Sequence, residues 1–167
     1  QRDGTIRVLL AELESKLHSR DEHDEPMEDL FDPTEVLNDL VKAGWDPKAE
    51  NASGWTMLHD LAGDETMESS AAYIAIDWLL EHGANVNATD DRGVSPLHLA
   101  AITDFGVVGT LLKFGVDKTL RTTSPADIPL YAARGSVIVP PGSTAYDLTR
   151  QSDLPEEIIA ELVCDTD

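Results

Sequence analysis

Apolar residues recur along the chain with the spacing of one helical face, and they do so in blocks that repeat. Ile6, Leu9, Leu10, Leu13 and Leu17 form a first stripe and predict an N-terminal helix. Val36, Leu37, Leu40 and Val41 form a second. The same quartet returns as Val107, Val108, Leu111, Leu112 and as Ile158, Ile159, Leu162, Val163, with Ile76, Leu79 and Leu80 as a three-member version. Equivalent stripes predict equivalent helices. Asp32-Pro33-Thr34-Glu35 precedes the second stripe with the signature of a capping box and a proline at the first helical position. Leu40, Leu79 and Leu111 each stand four residues before Gly44, Gly83 and Gly115, where glycine supplies the left-handed residue that ends a helix.

Glycines also set the register of the repeat. Gly44 to Gly54 and Gly83 to Gly93 both span ten positions, and Gly54-Trp55-Thr56-Met57-Leu58-His59 aligns with Gly93-Val94-Ser95-Pro96-Leu97-His98. The connection Asn85-Val86-Asn87-Ala88-Thr89-Asp90 suits a turn or hairpin whose polar side chains bond the local backbone. A helix pair of this size cannot bury its apolar face alone, so neighbours stack and the side chains left over line a groove.

Residues 83–115 read Gly-Ala-Asn-Val-Asn-Ala, then Gly93, then Ser95-Pro96-Leu97-His98-Leu99-Ala100-Ala101, then Leu111-Leu112-Lys113-Phe114-Gly115. In these motifs the chain resembles the ankyrin-repeat family, whose unit is a hairpin finger followed by two antiparallel helices. Residues 44–83 follow the same pattern with Met57 where the family usually has proline, and Gly142-Ser143-Thr144-Ala145-Tyr146-Asp147-Leu148 opens a last, less regular unit. The resemblance covers residues 32–163 and implies an all-α repeat solenoid, a stack of antiparallel helix pairs with hairpin fingers, of about four units. Residues 1–31 are then a capping helix and an acidic linker, and residues 32–167 the repeat domain. The resemblance also gives His59 and His98 a structural role, hydrogen-bonding backbone between units.

The largest break lies between Gly115 and Gly142, which are 27 positions apart instead of ten, so 17 residues enlarge one finger at about residues 122–141. Within it Ile128-Pro129-Leu130-Tyr131-Ala132-Ala133 and Val137-Ile138-Val139 flank Arg134-Gly135-Ser136, which predicts a short extended hairpin turning at those three residues. Such an insertion either projects as a functional loop or folds its apolar residues back over the terminal unit. A smaller addition, Gly63-Asp64-Glu65-Thr66-Met67-Glu68-Ser69-Ser70, separates the two helices of the second unit and reads as a solvated loop.

Charge narrows the class of partner. The chain carries 32 acids against 12 bases, a formal charge of -20, and neither the interval from Arg20 to Lys42 nor that from Lys48 to Arg92 contains a base. Such a field repels nucleic acid and anionic membranes and speeds encounter with cationic proteins. The plainer reading is that acidity keeps the array soluble. No apolar run nears the length that spans a bilayer, and Cys164 is the lone cysteine, so a reducing, cytoplasmic setting is the default. The start at Gln1 rather than Met leaves a trimmed N-terminus and a missing leader open.

By the resemblance, residues at the finger tip and the start of the first helix make most contacts, and these are Ala52, Ser53, Trp55, Asp91, Arg92 and Val94. Trp55 is the candidate anchor, with packing against Trp45 or a neighbouring finger as the alternative. Asp60, Asp64, Asp90, Asp91 and Asp104 are expected near the same face, placed to pair with partner Lys or Arg. Leu130, Tyr131 and Arg134 represent the enlarged finger. No hydrolase elbow, phosphate loop, dinucleotide glycine pattern or His-Glu-x-x-His helix is present. His23 in Asp21-Glu22-His23-Asp24-Glu25 reads as part of a mobile acidic loop, and neither a cofactor nor a metal is expected.

The resulting expectation is a noncatalytic protein-binding module, monomeric when free, that captures a basic partner through an acidic concave face and the extended finger. Its most specific form is a stoichiometric inhibitor resembling immunity or antitoxin proteins in charge and size. The alternatives are an adaptor or scaffold domain cut from a larger protein, which the non-Met start favours, and a metal-dependent sensor or enzyme built on the loop around His23.

Overall fold

The stripe at Val36, Leu37 and Leu40 becomes helix α1, Pro33–Lys42, in a computed structural model that describes Leu13, Ser15 and residues 32–63, 70–103, 105–130, 135–149 and 155–163. Asp32 caps α1 by accepting the Thr34 N–H at 2.9 Å, and hydrogen bonds to Thr34 hold its carboxyl below the usual carboxylate range. Glu35 does not complete the expected box. The reciprocal form occurs instead at Thr144 and Asp147, where hydroxyl and carboxylate exchange bonds with each other's backbone N–H. Val36, Leu37 and Leu40 are buried, whereas Val41 is 40% exposed. At about 100° per residue Val41 lies about 140° round from Val36, past the edge of the buried stripe.

The backbone divides into two units, Gln1–Ala49 with Thr66–Ala84, and Glu50–Glu65 with Asn85–Asp167. In the first, α1 packs against α3, Ser70–Glu81, whose Ala75, Ile76 and Leu79 are fully buried. Leu13 is helical and buried and Ser15 helical and exposed; Ile6, Leu9, Leu10, Leu17 and His23 lie outside the described residues.

The second unit holds α2 (Met57–Gly63), α4 (Pro96–Thr103), α5 (Phe105–Lys113), strands β1 (Ala126–Leu130) and β2 (Gly135–Val139), α6 (Ala145–Leu148) and α7 (Glu156–Leu162). Helix α4 packs against α2, α5 and α6, and every residue from Pro96 to Ala101 is buried. A helix covered on most sides has little use for a polar face, which is why its sequence is apolar apart from His98 and Thr103. Thr103 Oγ1 ties it to α2 by donating to the Ala62 carbonyl at 2.7 Å. Of the last apolar quartet only Leu162 is buried; Ile158 and Ile159 are half-buried and Val163 is exposed, as befits a terminal helix. Lys118 Nζ holds the C-terminal turn of α7 through the Glu161 and Val163 carbonyls at 2.8 and 3.2 Å.

Two buried imidazoles connect each helix to the following finger. His59 Nδ1 accepts the Thr56 N–H at 3.1 Å, so the ring proton sits on Nε2, which donates to the Val94 carbonyl at 3.1 Å. His98 repeats the arrangement, accepting from Ser95 N–H at 3.1 Å and donating to the Ser143 carbonyl at 3.1 Å. Both residues were expected in this role.

Each finger closes in a ring of backbone bonds. In the first, Asn51 N–H donates to the Trp55 carbonyl and Gly54 N–H to the Asn51 carbonyl; in the second, Asp90 bonds Val94 and Gly93 bonds Asp90 in the same way. In the third, Thr122 N–H donates to Ser143 and Gly142 N–H to Thr122, at 3.0 and 2.7 Å. Asn51, Asp90 and Thr122 are therefore equivalent, as are Gly54, Gly93 and Gly142. The added residues fall at the tip of the third ring, and the ring itself is intact. Neighbouring tips join through Asp91 N–H to Ser53 and Thr123 N–H to Arg92, at 2.9 and 2.8 Å.

The insertion is the antiparallel hairpin β1–β2, with Ala126 opposite Val139 and Leu130 opposite Gly135. Gly135 and Ser136, expected in the turn, are therefore strand residues, and Arg134 lies outside the described residues. Opposed residues share a face. Ala126, Ile128 and Val139 are buried on one face, while Asp127 and Ile138 stand exposed on the other. Among the described residues no helix is long and apolar enough to cross a membrane.

Two outcomes follow. Burial lowers the pKa of His59 and His98 from 6.5, more than the neighbouring carbonyls and Asp90 raise it. The unfolded chain therefore takes up protons first as pH falls through 6.5, and the unfolding free energy should drop from there down to the folded-state pKa, with the contribution intact well above 6.5. Urea unfolding at a series of pH values checks this, and His59→Gln with His98→Gln should flatten that slope. The second outcome concerns Gly93 and Gly142, with φ of 76° and 82°. An added Cβ at Gly142 meets nothing within 4 Å, so Gly142→Ala should cost about 1–2 kcal/mol from its left-handed backbone alone. Gly93→Ala should cost more, because its Cβ would lie 2.8 Å from Thr123 N and 2.9 Å from the Arg121 carbonyl. Equal losses in urea titrations would mean that the fingers are not in firm contact.

Candidate functional site

Short polar side chains fold the finger tips and thereby decide which residues are displayed. Asn51 Oδ1 accepts from the Ser53 and Trp55 N–H groups at 2.9 and 3.0 Å, leaving Ala52 and Ser53 exposed at the apex. Asp90 does the same for Arg92 and Val94, at 3.0 and 2.8 Å. Its second oxygen accepts from Arg92 Nε at 2.9 Å and lies 2.8 Å from NH2, a two-pronged pair around a carboxylate that is almost wholly buried. Asp90 was expected among the partner-facing acids; it is instead the internal counter-charge of Arg92 and the scaffold of its own turn. In the third finger the Thr122 hydroxyl takes this place, accepting from Ser143 N–H at 3.1 Å, and an Arg121 guanidinium N–H donates to the Gly142 carbonyl at 2.7 Å across the neck.

Trp55 follows the finger glycine, as Val94 and Ser143 do in the next two units. Those two are buried, whereas Trp55 is half-exposed. Val94, with none of its surface accessible, leaves the set of contact residues: its side chain belongs to the core between finger and helix. The Trp55 ring stacks on His59, centroids 4.9 Å apart and planes 27° apart, and its Nε1–H donates to Asp60 Oδ1 at 2.6 Å. The buried imidazole that links α2 to the following finger is thus also the floor under the tryptophan. Its Nδ1 and Nε2 are both engaged, so the ring is fixed in place.

The described surface therefore brings together Ala52, Ser53, Trp55, Asp91 and Arg92 on adjoining fingers and Asp60 in the first turn of α2, with Asp60 and Asp91 exposed and Arg92 half-buried against Asp90. Leu130 lies in β1, where its backbone pairs with Gly135. Asp64, Asp104, Tyr131 and Arg134 fall outside the described residues. Asp127 and Ile138, on the outward face of the hairpin, were missed. Val137-Ile138-Val139 is apolar at three consecutive positions, so no alternation in the sequence marks the middle one as exposed; only the pairing register does. Among the described residues no group of three His, Cys, Asp or Glu is placed to hold a metal ion.

Comparison with known proteins agrees with this geometry. A family model described as ankyrin repeats (3 copies) matches residues 30–122. The chain is 34% identical over 90 residues to human BCL-6 corepressor-like protein 1, covering 53% of this chain and 5% of that protein. It is 35% identical over 82 residues to mouse RelA-associated inhibitor, covering 48% of this chain and 9% of that protein. The chain thus corresponds to a small part of each of these relatives. The family generally serves protein interaction without catalysis. The paired helices, the glycine-closed fingers and the imidazole links between them agree with the matching family model, and this chain belongs to the ankyrin-repeat family.

Proposed function

We propose that this chain is a noncatalytic module that captures a basic protein, with Ala52, Ser53, Trp55, Asp91 and Arg92 of the fingers and Asp60 of α2 as the centre of the contact surface and the enlarged finger beside them. The observation that carries the reading is the pose of Trp55. A half-exposed indole already stacked on a buried imidazole and hydrogen-bonded to Asp60 loses little freedom when a partner covers it, so more of its burial energy is available for binding. Charge supplies the preference for a basic partner. Arg92 is matched internally by Asp90, Asp91 faces solvent, and the chain as a whole carries -20.

Inhibition is the most specific form of this reading. One relative is named as an inhibitor associated with RelA and the other as a corepressor-like protein, and both names are compatible with a module that acts by holding another protein. A resemblance to immunity proteins rests on size and acidity alone. The second reading, an adaptor domain within a longer protein, is supported by the small share of each relative that the repeats occupy. The cytoplasm, as a reducing compartment, suits either.

Affinity capture with the chain as bait supplies the partner for the test. Trp55→Ala should weaken its binding by about 2 kcal/mol, roughly 30-fold, in calorimetry, with little change in the unfolding midpoint. Unchanged affinity would remove Trp55 from the contact. The association rate should fall steeply with added salt, and Asp91→Lys should slow it further. A salt-independent rate would overturn the preference for a basic partner.

A further inference from the structure

We infer that the outer edge of β2 takes up an extended basic segment of the partner as a third strand of the hairpin. This step rests on the protein-binding reading above and adds how one part of the surface binds.

The register decides which backbone groups face outward. In an antiparallel pair, opposed residues alternate between those that exchange hydrogen bonds and those that point their N–H and C=O away from the partner strand. Pro129 has no N–H, so its pairing with Ser136 belongs to the outward-pointing kind, and by alternation so does the pairing of Asp127 with Ile138. The two edges then differ. The β1 edge offers the Asp127 N–H alone, its next donor removed by Pro129. The β2 edge offers N–H and C=O of both Ser136 and Ile138, and no hydrogen bond from the described residues reaches them. Proline on an exposed strand is a common way of blunting an edge. Here it blunts one edge and leaves the other open.

Side chains on the same face specify the occupant. Ile138 is 72% exposed, well above the other exposed large apolar residues, of which the next, Ile74 and Val163, are at 42%. Asp127 stands directly opposite it, exposed, on the same face. An isoleucine beside a carboxylate suits a strand that turns Lys or Arg to that face, their aliphatic stems over Ile138 and their charged ends toward Asp127, with its alternate apolar residues on the other face, since strand addition takes affinity from the main chain and selectivity from alternate side chains. A second copy of this chain is the poorer occupant, because each copy carries -20 and brings the same acid to the edge. The buried face of Ala126, Ile128 and Val139 anchors the hairpin, so the edge is held in place rather than trailing in solvent.

The test uses the full chain, isotope-labelled, and a short capped peptide alternating Lys and Val. The amide signals of Ser136 and Ile138 should shift on titration and become protected from exchange. N-methylating the peptide amides that face the edge should weaken binding about tenfold, as should Ile138→Pro, which removes an outward donor without touching the β1–β2 bonds. Ile138→Lys is the companion variant should the proline disturb folding, with the same loss expected from charge repulsion. Three results would overturn the inference: no binding of the peptide, binding indifferent to N-methylation, or self-association in sedimentation that Ile138→Pro abolishes. Indifference to N-methylation would leave the capture of a basic protein standing. That broader reading fails separately, if Trp55→Ala and Asp91→Lys both leave the captured partner's affinity unchanged.

Discussion

A neutral imidazole buried between a helix and the following finger is the interaction on which the second unit depends. His59 and His98 each satisfy the N–H of a helix-starting residue and the carbonyl of the next finger, two backbone groups that burial would otherwise leave without water. The chemistry demands one ring nitrogen as acceptor and the other as donor, which only the uncharged ring provides. Burial keeps it uncharged. No other side chain presents a donor and an acceptor at that separation on a rigid apolar ring.

Because this link reaches a backbone carbonyl, it is indifferent to what is inserted at the tip of the finger. The residue after the finger glycine receives it, whether Val94 or Ser143. The ring at the neck of the third finger closes with the same two backbone bonds as the others, and the hairpin grows out beyond it. A repeat array can thus gain a new element at low cost to its stacking, provided that the glycine and the accepting carbonyl keep their places. The hairpin in turn uses the alternation of strand residues to be held by one face and seen by the other.

The display surface is organised by a division of labour among neighbouring acids. Asn51 and Asp90 occupy equivalent positions and do the same backbone work, but the carboxylate of Asp90 also neutralises Arg92, so one of the cations near the tips contributes little net field. Asp91, one residue on, has its backbone committed to the neighbouring tip and its side chain in solvent. Trp55 sits where the other units place core residues, and its half-exposure comes from its size: the position that hides Val94 leaves part of an indole outside.

Helix positions, their ends and the finger register were legible in the chain itself, because period, capping residues and glycine spacing are local properties and each repeat restates them. The histidine role was legible too, through the motif at Thr56 and Ser95. What the sequence left undecided were quantities set by neighbours distant in the chain. Whether Asp90 faced a partner or Arg92, whether Val94 lay in a groove or in the core, and which edge and face of the hairpin stayed open depended on pairing and burial. Three consecutive apolar residues look alike until a strand pairs with them; the register with β1 buries Val139 and turns Ile138 outward. Local pattern determined the elements, and tertiary contact decided which of their side chains meet solvent.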